Sequence, residues 1–295
     1  MSTSPESLKS VLVTGGGGFL SSHIIRLLVK EPGCKIYSAS RDPRSHPDQE
    51  PTVMYESVDI ANETQVEALF RRTQPQVVIH TTSPHPLAPQ AMQERVNFIL
   101  SVYLSSPARV PGMYGTYDYK GMLPQLLDAV RKGQHKMQIG DNKRVFEVVE
   151  VRKVAEAHIL AAKAVLRREI SPTKVPKVDG EAIFISDGHA IPYWDFFRKC
   201  YAAAGAPVKP EKIKVIPLGV MQIMASMVEW FFAIFTLGHK TPEMRRQNMG
   251  HFERGCNWSL GKAKERLGYE PLTGAEQDEA IKPMVEWGLG ELKKP

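Results

Sequence analysis

Apolar residues along the first eighty positions alternate between two rhythms. Val11-Leu12-Val13 is a short apolar run that ends in Thr14 and four consecutive glycines, Gly15 to Gly18. Ile24, Ile25, Leu27 and Leu28 then fall on one face at helical spacing. The pattern predicts strand, turn, helix. Lys35 to Ala39 fits a second strand, Glu63 to Arg72 a helix, and Val77-Val78-Ile79 a buried third strand that ends at His80. Strands alternating with helices predict right-handed crossovers and a parallel sheet.

From Asn97 to Tyr119 neither period is clean, and apolar residues mix with Ser, Pro and Gly. Periodicity returns afterwards. Leu123 to Val130, Val154 to Leu166, Pro192 to Ala204, Leu260 to Leu267 and Ala280 to Trp287 predict helices, and Ala182 to Ser186 predicts a strand. No internal repeat or low-complexity tract interrupts the chain.

Composition narrows the class. With 295 residues, 42% hydrophobic and 24% charged, the chain can bury a large α/β core or one core plus a smaller satellite. Cys34, Cys200 and Cys256 are odd in number, far apart and without metal-ligand spacing, which predicts free thiols in a reducing compartment and no metal site. The net charge of +6 comes from basic residues scattered among 32 acids, so no nucleic-acid partner is expected. Met1 to Lys9 is polar, and the first apolar run is too short for the hydrophobic region of a signal peptide. The chain is expected to start in the cytosol.

Gly15 and Gly18 sit between the first strand and the first helix, where glycine permits a tight turn and close backbone approach to a pyrophosphate. N–H groups at the helix N-terminus can then meet the phosphate oxygens. A strand before and a helix after supply the context that makes this a dinucleotide site. The third small position is Ser21, a departure expected to loosen helix-to-sheet packing slightly. At the end of the second strand, Ser38-Ala39-Ser40-Arg41 contains no carboxylate to bond an adenosine ribose. Arg41, with Arg44 nearby, suits a 2′-phosphate, which favours NADP over NAD; a solvated loop role for Arg41 is an equal alternative.

Thr14-Gly15-Gly16-Gly17-Gly18-Phe19-Leu20, Val58-Asp59-Ile60 and His80-Thr81-Thr82-Ser83-Pro84 resemble the 3β-hydroxysteroid dehydrogenase family of extended short-chain dehydrogenases. Within it, the likeness is to the fungal sterol-4α-carboxylate 3-dehydrogenases. Gln138-Ile139-Gly140-Asp141-Asn142, Phe146 and Val154 to Ala162 continue the resemblance, as do Gly180 to Ser186 and Ala263 to Tyr269. With Arg41 as read above, Gly15, Gly16, Gly18, Phe19 and Leu20 of these motifs are the expected dinucleotide contacts, and the resemblance implies that Asp59 and Ile60 flank the adenine and that Thr82 and Ser83 lie under a ribose. Asp59 is equally suited to a turn or helix cap. His158, on an Ala-rich helix, is read as packed and not catalytic.

The resemblance also exposes an omission. The superfamily's base is a Tyr with a Lys four residues later on the same helix face, which lowers its pKa. No tyrosine of this chain has a lysine four residues after it. Asn97 and the Arg109 to Gly115 stretch match family positions that several tens of residues separate elsewhere, and Phe98 to Pro107 stands in their place. A gene-model or splicing error, a degenerate paralogue and a rebuilt site all remain open. The local substitutes are Tyr114, Tyr117 and Tyr119 beside Lys120, although adjacent side chains diverge on helix or strand. Lys153 replaces a family Asn, preceded by Val148, Val149 and Glu150 where the family has polar and aromatic residues.

The fold class expected is therefore α/β: a shortened Rossmann-type, doubly wound parallel sheet with a smaller, mainly helical C-terminal substrate region. Residues 1–120 would be the dinucleotide-binding region, truncated near 97–109, and 121–295 the substrate side. Val215 to Leu237 is mostly apolar but contains Glu229, which is costly in lipid. Gln222, Ser226 and Glu229 at helical spacing form a polar stripe, leaving Met221, Met224, Trp230, Phe231 and Phe232 to face lipid or a hydrophobic ligand. A lid or a monotopic membrane contact is expected, and the resemblance implies the cytosolic face of the endoplasmic reticulum and a homodimer. The implied activity is NAD(P)-dependent oxidation of a sterol or terpenoid 3β-hydroxyl, with decarboxylation where a 4-carboxylate is present. The competing expectation is a non-catalytic cofactor-binding protein.

Overall fold

The computed structural model describes residues 7–43, 49–82, 108–171, 176–178, 181–235 and 250–293. In chain order these begin with β1 (Ser10–Thr14), α1 (Phe19–Leu28), β2 (Lys35–Ser40), β3 (Val53–Ser57), α2 (Glu63–Thr73) and β4 (Val77–His80). Next come β5 (Ala108–Arg109), β6 (Gly112–Tyr114), α3 (Met122–Arg131), β7 (Met137–Ile139), β8 (Val145–Phe146), β9 (Val148–Glu150) and α4 (Val151–Ile170). The remainder are β10 (Ile183–Phe184), β11 (Ile191–Pro192), α5 (Tyr193–Ala203), β12 (Lys214–Ile216), α6 (Leu218–Phe235), α7 (Gly250–Arg254), α8 (Gly261–Leu267) and α9 (Gly274–Glu291).

The chain forms two compact units. The first comprises Met1–Val110, Val151–Ile185 and Ser259–Pro271, and the second Pro111–Glu150, Ser186–Trp258 and Leu272–Pro295. The units interleave along the sequence, unlike the contiguous division at 120/121 that the motifs suggest. The reason lies in α4. Ala155, Ile159, Ala162 and Leu166 put small and branched side chains on one face of this helix, which packs closely on α1 in the first unit.

The first unit holds a parallel sheet in the order β3-β2-β1-β4. Its central strand explains its own sequence. Val11 and Val13 pack with Ile24, Leu28 and the α4 residues on one side, while Leu12 packs with Ala39, Val58 and Leu69 on the other. A strand covered on both faces needs a continuous apolar run. The edge strand β3 escapes prediction because Val53 is buried and Met54 exposed, with polar residues following, so its signal is weak. Asn62 caps α2, its side chain accepting the Gln65 N–H at 3.2 Å.

The described part of the sheet has four strands. Among the described residues β4 is an edge, and β5 pairs with β10 in a separate ladder instead of extending the sheet. The strand predicted over 182–186 is observed as Ile183–Phe184, paired in parallel with β5.

The second unit is helical apart from short strand pairs, β6 with β9, β8 with β11 and β7 with β12. Leu123, Leu126 and Leu127 of α3 meet Phe196 and Tyr201 of α5 and Ile281, Met284 and Val285 of α9. The Thr273–Glu276 capping box starts α9 well before the predicted residue 280, and Pro283 is accommodated inside it. On α6 the expected outward face needs one correction. Met221 is buried together with Ala225, whereas Met224, Trp230 and Phe231 are exposed and Phe232 is half-buried. Gln222, in the polar stripe, turns to protein and pairs with Glu253 of α7.

Candidate cofactor site

The loop from Gly15 to Gly18 is built by the ends of β1 and β2. Both Gly15 N–H and Gly16 N–H donate to the Ala39 carbonyl, at 2.8 and 3.3 Å, and Gly18 N–H donates to Gly15 O at 2.8 Å. Gly15 has φ +79°, the left-handed region that favours glycine. A Cβ there would stand 2.7 Å from Thr82 Oγ1, and a Cβ on Gly16 would stand 1.8 Å from Ser38 Oγ. Gly15 therefore requires glycine, and a side chain at Gly16 would have to displace the Ser38 hydroxyl. Gly17 and Gly18 are exposed at the N-terminus of α1, where helical N–H groups lack intrahelical partners.

Ser21 tightens this loop. It is buried, its hydroxyl donates to Gly15 O at 2.6 Å, and its oxygen accepts the Gly18 N–H at 2.9 Å. The serine thus staples the glycine turn, a role separate from the helix-to-sheet packing it was expected to loosen.

The mouth of the sheet between β1 and β4 carries Thr14, His80, Thr81 and Thr82. Thr81 Oγ1 donates to Thr14 O at 2.7 Å, and Thr14 Oγ1 is hydrogen-bonded to His80 Nδ1 at 2.5 Å. Burial holds the His80 imidazole below its ordinary pKa of 6.5, so it is neutral at physiological pH. Ser38 Oγ and His80 Nε2 are buried without hydrogen-bond partners among the described residues. Orphaned polar atoms beside a glycine cradle, at the point where strand order reverses, fit a dinucleotide. Sequence reasoning passed over Ser38, His80 and Thr81 as ligand-facing candidates, although all stand near strand ends beside the loop.

The other predicted residues are distributed unequally. Phe19 is half-buried against His23, with ring centroids 5.9 Å apart, and Leu20 is half-buried against the core. Arg41 is exposed beyond β2, its carbonyl accepting from Ser57 Oγ at 3.1 Å. Asp59 is exposed, and one carboxylate oxygen accepts Ala61 N–H at 3.0 Å, which is the turn role. Ile60 is buried with Val66 in the core, so its side chain is committed to packing. Arg44 and Ser83 lie outside the described residues, as do Asn97 and Phe98 to Pro107.

The candidate tyrosines are engaged elsewhere among the described residues. Tyr114 is fully buried in the second unit and donates to Asp187 Oδ2 at 2.9 Å. Burial, reinforced by the neighbouring Asp187 charge, drives its phenol pKa strongly upward. Tyr117 and Tyr119 both pack against Trp287, at 5.3 and 5.1 Å between ring centroids. Asp187 instead organises the interior. Glu150 N–H and Gln277 Nε2 also donate to it, at 2.9 and 3.2 Å, and burial raises its pKa despite these bonds. His158 is packed as expected. Its Nδ1 is hydrogen-bonded to Val154 O at 2.8 Å, and burial lowers its pKa. Lys153 ion-pairs with Glu156 at 2.5 Å and lies 5.4 Å from the centroid of the Tyr269 ring.

Comparison with known proteins agrees with this architecture. The NAD dependent epimerase/dehydratase family model matches residues 11–106, and the 3-beta hydroxysteroid dehydrogenase/isomerase family model matches residues 101–215. Over residues 101–215 the chain is similar to the 3-beta hydroxysteroid dehydrogenase/isomerase family. The sterol-4-alpha-carboxylate 3-dehydrogenase ERG26, decarboxylating, of Gibberella zeae is 48% identical over 185 residues, covering 63% of this chain and 59% of that protein. The corresponding Schizosaccharomyces pombe protein is 27% identical, covering 97% of this chain and 99% of its own. That second alignment runs over 353 positions, so at least 58 of them hold no residue of this 295-residue chain. Among solved structures, Bordetella bronchiseptica WbmH in complex with NAD+ has a TM-score of 0.63 at 15% identity, covering 95% of this chain and 98% of that one. An epimerase, Mth375 of Methanothermobacter thermautotrophicus, has a TM-score of 0.66 at 14% identity, with coverages of 98% and 94%. These structures share the Rossmann-type α/β fold.

Proposed function

We propose that this chain is an NAD(P)-dependent oxidoreductase of the 3β-hydroxysteroid dehydrogenase type, acting on a sterol or terpenoid 3β-hydroxyl. The observation that carries the reading is the Gly15–Gly18 cradle, with Ser38 and His80 orphaned beside it, in a chain similar to sterol-4-alpha-carboxylate 3-dehydrogenases. Gly15, Gly16 and Gly18 would admit the pyrophosphate, Phe19 and Leu20 would set the first turn of α1 against it, and Thr82 would face a ribose. Asp59 and the backbone of Ile60 would border the adenine, with Ser83 completing the ribose contact. Arg41 favours NADP by offering charge-assisted hydrogen bonds to a 2′-phosphate. A bound dinucleotide supplies the hydride acceptor.

Oxidation breaks the C–H bond at the alcohol carbon and requires an acceptor for the hydroxyl proton. Where a 4-carboxylate is present, the resulting ketone accepts the electron pair of the breaking C–C bond as an enolate, and carbon dioxide leaves. The chain lacks the Tyr-x-x-x-Lys base, and Tyr114 is held by Asp187. That observation supports the second reading, a cofactor-binding protein with little turnover of its own. A hydrophobic substrate suits the cytosolic face of the endoplasmic reticulum, reached through the apolar segment 215–237. Dinucleotide titration followed by turnover with a 3β-hydroxy-4α-carboxysterol tests both readings: absence of dinucleotide binding contradicts them, and fast turnover contradicts the second.

A further inference from the structure

The largest departure from ordinary burial lies on α6. Ile223, Met227, Trp230 and Ile234 are 64%, 66%, 71% and 61% exposed and recur at helical spacing, with Phe231 and Phe235 widening the stripe. The opposite side is anchored to protein through buried Met221 and Ala225 and through the Gln222–Glu253 pair. Among the described residues no helix is long and apolar enough to cross a membrane.

Within α6 the one charged residue is Glu229, and basic charge gathers just before the helix. Lys209, Lys212 and Lys214 are exposed immediately before α6, with Glu211 the one acid among them. Pairing of β12 with β7 sets Lys214 opposite Met137, and Met137 and Val215 are exposed as well. Lysines bordering an aromatic-rich stripe are complementary to acidic headgroups above acyl chains.

We propose that α6 lies in the plane of an anionic membrane surface, its Ile223–Met227–Trp230–Ile234 stripe among the acyl chains and Lys209, Lys212 and Lys214 against acidic headgroups. The inference rests on the membrane access of substrate proposed above and adds the lipid chemistry and the residues. The stripe supplies insertion, and the lysines supply selectivity, each contributing about a fivefold change in partitioning.

Cosedimentation of the full chain with vesicles tests it, using phosphatidylcholine alone or phosphatidylcholine doped with phosphatidylserine. Binding is expected to be strongest on the doped vesicles, to weaken with salt, and to blue-shift a tryptophan emission that Trp230→Phe removes. Met227→Glu and Trp230→Glu, at exposed positions that leave packing intact, should abolish binding while the thermal melt stays unchanged. Lys212→Gln and Lys214→Gln should weaken binding to doped vesicles only. Equal binding to both vesicle types, binding retained by the glutamate variants, or no vesicle binding with a dimer that Trp230→Glu dissociates would each overturn the proposal. Dinucleotide titration of the same samples reads the cofactor site separately, so failure of one reading is distinguishable from failure of the other.

Discussion

At Gly16 the space a side chain would need is already filled by the Ser38 hydroxyl, 1.8 Å from a Cβ position. Gly16→Ala should therefore displace the loop and weaken dinucleotide binding by about tenfold or more, the scale of an overpacking strain of about 1–3 kcal/mol. Fluorescence titration with reduced nicotinamide cofactor measures this, and adding Ser38→Gly should recover part of the loss. Unchanged affinity in Gly16→Ala would place the dinucleotide elsewhere. Arg41 gives a second residue test. The NADP-to-NAD affinity ratio should fall in Arg41→Ala, and an unchanged ratio would leave Arg41 as the solvated residue its exposure allows. The glycine turn was legible because its spacing is a backbone requirement stated in sequence. The Ser21 staple and the orphaned atoms of Ser38 and His80 were not, since they depend on which hydroxyl faces which carbonyl after the sheet has formed.

The same division appears among elements. Strand β1 and helix α1 announce themselves through continuous and helical apolar spacing, whereas β3 at the sheet edge carries too few buried residues to do so. Packing of α4 on α1 was hidden for another reason: the Ala face marks a close helix contact without saying which helix it meets. Ala155 is fully buried at this seam, and Ala155→Leu should cost about 1–3 kcal/mol, read as a lower denaturant midpoint. The two buried imidazoles make a pH prediction. His80 and His158 both have pKa values lowered from 6.5 by burial, so the folded state binds fewer protons than the unfolded one. Their contribution to stability is present above pH 6.5 and is lost as pH falls through the lowered values. Chemical denaturation across that range should show stability falling with acidity, and a smaller slope in His158→Gln. An identical slope in the variant would remove His158 from the account.

On the scale of the whole molecule, the described residues build a glycine cradle that fits a dinucleotide, whereas the Tyr-x-x-x-Lys base of the proposed reaction is missing from the sequence. The sheet ends at β4 among the described residues, the S. pombe relative has at least 58 aligned positions without a counterpart, and each of the candidate tyrosines is engaged in packing or bound to Asp187. Loss of a general base typically costs about 10²- to 10⁴-fold in rate, and misplacement of substrate against cofactor adds to it. The measurement that reads both halves at once is a stopped-flow mixing of the purified chain, saturated with NAD or NADP, with a 3β-hydroxy-4α-carboxysterol, following nicotinamide absorbance. The account predicts saturable dinucleotide binding with reduction slower by at least about a hundredfold than in a relative carrying the Tyr-x-x-x-Lys pair. Reduction at the relative's rate would contradict it, as would failure to bind either dinucleotide.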